Sequence, residues 1–454
     1  MENLGIISLL PAIIVIVFAV ITRKTFESLL LGGLVSCIIL YGINFITPFV
    51  DLLTTAVSDG DVMWIVLVSV LFGSLIRLLK ESRSTWAFAN IARRYATTQR
   101  KTLLITWFMG LVLFIDDYLS IMTTSNTMME TCDEKKIPRE MLAYVLDSTS
   151  APTCVIIPIS AWVVYFAGIF ESQPETDYLG SGFSAYYSAL PWMFYAWICV
   201  IIVPLVIWGV IPKVGSMKKA WNRAEVENKP YSDYSAKFNK EVELIDNEDK
   251  IRTWHFIVPI LTIVVTTIIT GDILYGVLGG VVMCGIIYLP LRIMTFNHFS
   301  DSVIGGMQDM TWMAVLIVSG KVLRDGVNSI GMPDYVIEAV SPYMSAILLP
   351  VITFIVVAGL AFVTSGIWAL PAVITPIVLP LAAAVGTDIS LTMGAIVAGA
   401  IFGAHACFYA DVTVLTSAAA KIDNMEHCIT QLPYCLLGGI ISMIAFIIAG
   451  FMMI

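Results

Sequence analysis

Four aspartates stand inside stretches that otherwise read as apolar. Asp116 and Asp117 lie in LFIDDYLS, Asp147 in AYVLDSTSAP and Asp411 in ACFYADVTVLTS. A carboxylate at membrane depth is costly unless it is paired, hydrated or neutralised, so such residues face a cavity and handle ions or protons. Asp147 and Asp411 each begin an Asp-x-Thr unit, with Thr149 and Thr413. That unit places a carboxylate beside a hydroxyl. Hard cations prefer oxygen ligands of this kind. Where a helix breaks beside such a unit, freed carbonyls can meet a cation and freed amides an anion. Asp147 with Thr149 and Asp411 with Thr413 are therefore expected as two pseudo-symmetric half-sites, with Asp147 and Asp411 as candidate sodium ligands. The plainer role for either aspartate is a helix cap.

Asp116 and Asp117 are adjacent, and adjacent helical side chains diverge by about 100°. One of them faces an ion path unless the chain unwinds there. Two close carboxylates in a dry site do not ionise together easily, which suits proton exchange. A structural cap is the alternative for one of the pair. Ser125 and Asn126, in TTSNT, offer polar ligands for a substrate or interhelical hydrogen bonds. Thr364, Ser365 and Trp368, with His405 and Tyr409 ahead of Asp411, are candidates for the solute side. Lys321 and Arg324 read as snorkelling cations near a span end. The pairs Gly32-Gly33 and Gly279-Gly280 read as sites of close helix packing.

The elements that must position these residues follow from composition. The chain has 454 residues, 58% hydrophobic and 13% charged, where a soluble protein carries about 25% charged. Its mean hydropathy is +0.88. Roughly ten stretches are long enough to span a bilayer, so an all-α polytopic membrane protein is expected. The first, LGIISLLPAIIVIVFAVIT, is too long for a cleavable signal and reads as a true span. The eight cysteines are scattered without a CxxC pair, so neither disulfides nor a zinc site is expected. A net charge of −9 argues against a nucleic-acid partner. GxxxxGK[ST] and HExxH are absent, and no nucleophile and base pair up, so an ATP-driven pump and an enzyme are both disfavoured. A channel is disfavoured too, because no filter-like repeat occurs.

Basic residues set the topology. Arg23, Lys24, Lys80, Arg83, Arg93, Arg94, Arg100 and Lys101 fall in loops that the positive-inside rule assigns to the cytoplasm, as does the Lys213–Arg252 loop. The loops around Asp51, Asp59 and Asp61 and around Glu171, Glu175 and Asp177 are acidic and assigned outside. The segment 102–132 begins and ends beside basic residues, so it reads as a re-entrant hairpin from the cytoplasm, with its tip near Asp116 to Ser120. Residues 139–170 then run outward as one helix broken around Asp147 to Pro152. Non-helical backbone at membrane depth is tolerated only where it is buried or lines a cavity.

The second half repeats the first. PAIIVIVFAVIT from Pro11 matches PILTIVVTTIIT from Pro259, and LLGGLVSC matches VLGGVVMC. DVMW matches DMTW, and GLVLFIDD matches AGLAFVTS. The matches keep one order at a nearly constant offset. An odd number of crossings per repeat inverts the second, an architecture that recurs in secondary transporters. The expected organisation is a first repeat at 1–212 and a cytoplasmic, solvated linker at 213–252. A second repeat follows at 253–454, with an outward-opening hairpin at 348–386 that breaks at Thr364 to Trp368. Ten transmembrane helices, two hairpins and external termini result.

FIDDYLSIMTTSNT, KIPREMLAYVLDSTSAPTCVIIPISAW and FGAHACFYADVTVLTSAAAKIDNMEHCITQLPY resemble the hallmark segments of the NhaC family of sodium/proton antiporters, within the ion transporter superfamily. The resemblance implies an inverted-repeat fold, sodium or proton coupling and elevator-like movement of the hairpin domain. Asp116, Asp117, Asp147 and Asp411 match acidic positions of the family. Two motifs depart from it. The family's Gly-Asp-His-Cys-Ser-Pro reads Gly403-Ala-His-Ala-Cys-Phe here, and its polar Gly-Thr-Ser-Trp-Gly tip reads Thr364-Ser-Gly-Ile-Trp-Ala. The family also includes exchangers of small organic acids. The expected function is thus cation-coupled secondary transport in the cell membrane, as a sodium/proton antiporter or as an ion-coupled carrier of a small carboxylate or amino acid. Sodium ions, protons and that solute are the candidate cargo. A homodimer is the candidate assembly, and no cofactor is expected.

Overall fold

The computed structural model describes the chain apart from residues 1–3, 23, 85–86, 88–93, 239–250, 271, 341, 343, 365–366, 409 and 454. Every regular element among the described residues is helical. In the first half, Leu10–Thr22 and Thr25–Tyr41 lead to Ile46–Ser58 and Gly60–Glu81. The paired helices Gln99–Val112 and Asp117–Glu134 follow. A broken run, Arg139–Ser148, Ala151–Ile156 and Ala161–Glu171, leads to Gly182–Ala189 and Phe194–Trp208. In the second half, Trp254–Thr270 and Ile273–Tyr288 lead to Phe296–Asp309 and Thr311–Ser329. Met332–Val340, the pair Leu349–Thr364 and Ala369–Val385, the broken run Ile389–Ala406 and Asp411–Ala419, and the long Asn424–Met452 complete it.

Among the described residues, four helical segments are long and apolar enough to cross a membrane: Phe26–Asn44, Val62–Glu81, Ile389–Ala419 and Asn424–Met452. Counting two bent runs, one closing at Ala161–Glu171 with a 44° bend and one at Phe194–Trp208 with a 49° bend, raises this to six. The other apolar helices, such as Ile273–Tyr288 and Leu349–Phe362, are shorter. Ten apolar stretches in sequence therefore do not become ten long straight helices, because several are divided at breaks or turn back in pairs.

The outward faces show what surrounds the fold. Leu261, Val265 and Ile269 are exposed at four-residue spacing, as are Leu278, Val282 and Ile286, and Leu436, Ile440, Ile444 and Ile448. Such spacing lines one side of each helix. Apolar stripes of this extent are a lipid-facing surface rather than a wet one. The chain is a multi-pass membrane protein.

Inside, small residues bring helices to backbone contact. A Cβ on Gly73 would stand 2.1 Å from the Gly306 carbonyl oxygen, and one on Gly306 would stand 2.3 Å from that of Gly73. Gly60–Glu81 and Phe296–Asp309 cross there. Gly33 lies against the side chain of Val322, and Gly280 against that of Ile263. Lys321 and Arg324, read as snorkelling cations, instead form ion pairs: Lys321 with Asp59 at 3.1 Å and Arg324 with Asp325 at 2.7 Å. The start of the segment read as a solvated linker is packed. Its helix Gly215–Val226 buries Met217, Ala220, Trp221 and Ala224, and Arg223 pairs with the buried Glu140 at 2.8 Å.

The breaks have local causes. Thr149 and Ser150 leave the helical conformation ahead of Pro152, which has no N–H to donate and whose ring would clash with the Ser148 carbonyl in an unbroken helix. Their hydroxyls donate to carbonyls of the preceding turn, Thr149 to Val145 at 2.7 Å and Ser150 to Asp147 at 2.8 Å. A second interruption at Ile157 to Ser160 closes with Ser160 capping the next helix through Val163 N–H.

Gly306→Val forces apart two backbones that now touch and is expected to cost roughly 2 kcal/mol. Gly359→Ala meets nothing within 4 Å and should be neutral or slightly stabilising, because alanine is the better helix former. Thermal unfolding of the two variants in detergent checks the contrast.

Candidate functional site

Asp116 caps the returning helix Asp117–Glu134: its Oδ1 accepts from Leu119 N–H at 2.7 Å. The tip of this helix pair is thus the turn 113–116, and Asp117 to Ser120 form the first helical turn rather than an unwound segment. Asp117 is buried. Its Oδ2 accepts from the Trp162 indole N–H at 3.2 Å, and its Oδ1 from Tyr118 N–H at 3.0 Å. The next residue, Tyr118, donates its hydroxyl to Asp411 Oδ2. Asp411 is exposed and begins the helix Asp411–Ala419, with its other oxygen on Val412 N–H at 2.9 Å.

Trp162 also faces the second helix pair. Its ring lies 4.3 Å from that of Trp368, and Tyr165 lies 4.9 Å from Trp368 and donates to its carbonyl. One helix, Ala161–Glu171, therefore holds both tips: Asp117 through an indole N–H, and Trp368 through two aromatic faces.

Asp147 forms a separate cluster. It ends Arg139–Ser148 and is 1% exposed. Its Oδ2 accepts from Gln431 Nε2 at 2.8 Å and from His427 Nε2 at 3.1 Å. Gln431 Nε2 also donates to the His405 carbonyl at 2.7 Å. Two acceptors around that nitrogen fix the amide orientation, because only the NH2 end can donate. His427 Nε2 likewise carries hydrogen. Next to this, the His405 ring is bracketed by Ser148 Oγ at 3.1 Å and the Tyr195 hydroxyl at 2.9 Å. Three buried atoms here have no partner: Asp147 Oδ1, Gln431 Oε1 and His427 Nδ1. The two oxygens are acceptors. Each unsatisfied buried group costs about 1–3 kcal/mol, so the arrangement favours an electropositive guest.

The expected residues thus divide. Asp116, Asp117, Asp411 and Trp368 belong to the tip cluster, and Asp147 and His405 to the buried one. Thr149 and Thr413 are buried beside them, but their hydroxyls serve backbone carbonyls, Val145 at 2.7 Å and Ala404 at 3.1 Å. Thr149 also fits against Gly110, where a Cβ would stand 2.1 Å from its Oγ1. The two Asp-x-Thr units occupy opposite helix ends, Asp147 a C-terminal turn and Asp411 an N-terminal one. Ser125 is buried and donates to the Ala419 carbonyl at 2.8 Å, joining the returning arm to the Asp411 helix. Asn126 faces outward and is exposed. Ser365, Tyr409 and the side chain of Thr364 lie outside the described residues. Among the described residues no group of three or more His, Cys, Asp or Glu side chains is placed to hold a metal ion. A cation at Asp147 would therefore rely on amide oxygen as well as carboxylate.

His427, Gln431, Trp162, Tyr165 and Tyr118 are the residues sequence reasoning missed. A signal existed for two of them. His427 and Gln431 stand four apart on one face of a helix whose later turns are almost wholly apolar.

The model of the Na+/H+ antiporter family matches residues 153–451 of the chain, more than half of it. The chain belongs to this family. As a member of the Na+/H+ antiporter family, the NhaC family, it is a transporter of the NhaC type. It is 28% identical over 487 positions to an uncharacterised protein of Haemophilus influenzae, covering 98% of this chain and 91% of that one. Two solved structures share its fold. MtrF of Neisseria gonorrhoeae, described as illuminating a class of antimetabolite efflux pumps, superposes with a TM-score of 0.60 at 11% identity. The match covers 90% of this chain and 85% of that one. The YdaH transporter of Alcanivorax borkumensis, described as having an unusual topology, superposes with a TM-score of 0.59 at 11% identity, covering 90% and 89%.

Replacing Gln431 in this antiporter-family protein removes a donor from buried Asp147. Gln431→Leu is expected to cost about 1–3 kcal/mol. Asp411→Asn, at an exposed position, should change stability by less than about 0.5 kcal/mol. Unfolding midpoints of the two variants provide the comparison.

Proposed function

We propose that the chain exchanges sodium ions for protons across the cell membrane, as a cation-coupled secondary transporter. The observation that carries this reading is the buried Asp147 cluster, whose two unpartnered oxygens are acceptors. Asp147 Oδ1 and Gln431 Oε1 offer the oxygen ligands a sodium ion prefers. The carboxylates of Asp116, Asp117 and Asp411 lie nearer the tips, where a proton shared among them relieves their mutual repulsion. Thr149 and Thr413 brace the breaks beside the two carboxylates. No cofactor enters this reading beyond the coupling ion.

The architecture we infer has ten transmembrane helices in two inverted repeats, 1–212 and 253–454, joined by cytoplasmic residues 213–252. The recurrence of helix order between the halves supports it. The pairs Gln99–Val112 with Asp117–Glu134, and Leu349–Thr364 with Ala369–Val385, are then re-entrant hairpins entering from opposite sides. Their tips meet on Ala161–Glu171. A cysteine placed beside Lys135 should react with an impermeant thiol reagent only from the cytoplasmic side. Labelling from outside intact cells refutes the hairpin.

A second reading, ion-coupled carriage of a small carboxylate or amino acid, draws support from the aromatic wall of Trp162, Tyr165 and Trp368 beside Asp117. That wall is larger than an ion needs. The two readings separate in everted vesicles. Ion exchange predicts sodium-driven proton movement with no added solute, abolished by Asp411→Asn and spared by Asn126→Ala and Trp368→Ala. Solute carriage predicts no proton movement until the solute is supplied, with uptake about tenfold weaker in Trp368→Ala, as expected for loss of a contact worth about 1 kcal/mol or more.

A further inference from the structure

A cavity of about 180 Å³ lies between the start of Gln99–Val112, the end of Phe194–Trp208 and the packed helix Gly215–Val226. Leu103, Met141, Val206 and Ile207 make its apolar wall, and Arg100, Lys213 and Trp221 its polar one. Trp221 is 4% exposed, and its indole N–H is buried with no partner. Lys213 sits 3.1 Å over the Trp221 ring. Burial lowers the Lys213 ammonium from the usual lysine value. Exposed Glu225 opposes this, and Arg100 adds to it by repulsion. The polar wall therefore offers two cations and one unsatisfied donor. Arg100 is exposed and Lys213 half-buried, so two like charges face one mouth, and an anion between them relieves their repulsion.

The surroundings indicate the shape of that anion. About two helical turns deeper, Phe108 on one helix and Ile201 on the other are exposed, at 54% and 53%. The cavity thus opens beside a lipid-facing strip, near its aqueous edge. A soluble anion would leave the apolar wall and this strip uncovered, whereas an acyl chain covers both.

We propose that this cavity holds the phosphate of an anionic phospholipid, between Arg100, Lys213 and the Trp221 N–H, with its acyl chains along Phe108 and Ile201. Placing the lipid in the cytoplasmic leaflet rests on the topology proposed above. Binding to the cavity does not, because it can be read in detergent without reference to sidedness or transport.

The full chain, purified in detergent, is titrated with phosphatidylglycerol, phosphatidylcholine and inorganic phosphate, with thermal unfolding and native mass spectrometry as readouts. Phosphatidylglycerol should be retained and raise the unfolding midpoint, and the other two should not. The double variant Arg100→Gln/Lys213→Gln should weaken retention about tenfold or more, as expected for losing two cations near a membrane surface. Trp221→Phe keeps the ring, deletes only the donor and should weaken retention about threefold. It tests the site even where the double variant does not fold. Equal retention of phosphatidylcholine, equal stabilisation by inorganic phosphate, or unchanged retention in Trp221→Phe each overturns the proposal. Loss of sodium/proton exchange in vesicles with lipid retention intact would count against the transport reading alone.

Discussion

A carboxylate enclosed by a membrane protein needs donors where lipid would otherwise lie, and one oxygen of Asp147 obtains them from a single distant helix. Gln431 and His427 both reach its Oδ2, and Gln431 at the same time holds the His405 carbonyl. Three elements meet in this way: Arg139–Ser148, Ile389–Ala406 and Asn424–Met452. The helix break at Thr149 and Ser150, the absence of a side chain at Gly110 and the bracketing of His405 all serve that junction. The side of Asp147 left unserved, together with the unpaired amide oxygen beside it, has the polarity that suits a cation.

The second junction is aromatic. Ala161–Glu171 presents Trp162 to Asp117 on one side and to Trp368 on the other. An indole suits this position because it combines a broad apolar face with one N–H donor. The two helix pairs are thereby connected through a single side chain.

Much of this was legible because bilayers simplify sequences. The hairpin expected at 102–132 falls on the helices Gln99–Val112 and Asp117–Glu134, and that at 348–386 on Leu349–Thr364 and Ala369–Val385. Asp147 stood out because a carboxylate in an apolar run is costly. Its partners were harder to read. His427 lies 280 residues away along the chain, and periodicity reports which face of a helix is polar, not which helix that face will meet. Trp162 was hidden for a different reason. In an apolar segment a tryptophan reads as one more large hydrophobe, and only the fold shows that its N–H is committed to Asp117. Asp116 shows the limit at a terminus: DDYLS interrupts the apolar pattern, but the interruption is a helix cap, so the chain turns just before it.

A sodium ion held by buried Asp147, as proposed above, is read out by equilibrium binding of radioactive sodium to the purified protein. Saturable binding to the wild-type chain is expected, and its loss in Asp147→Asn, with the variant still folded. Saturable sodium binding of wild-type strength in a folded Asp147→Asn protein would contradict it.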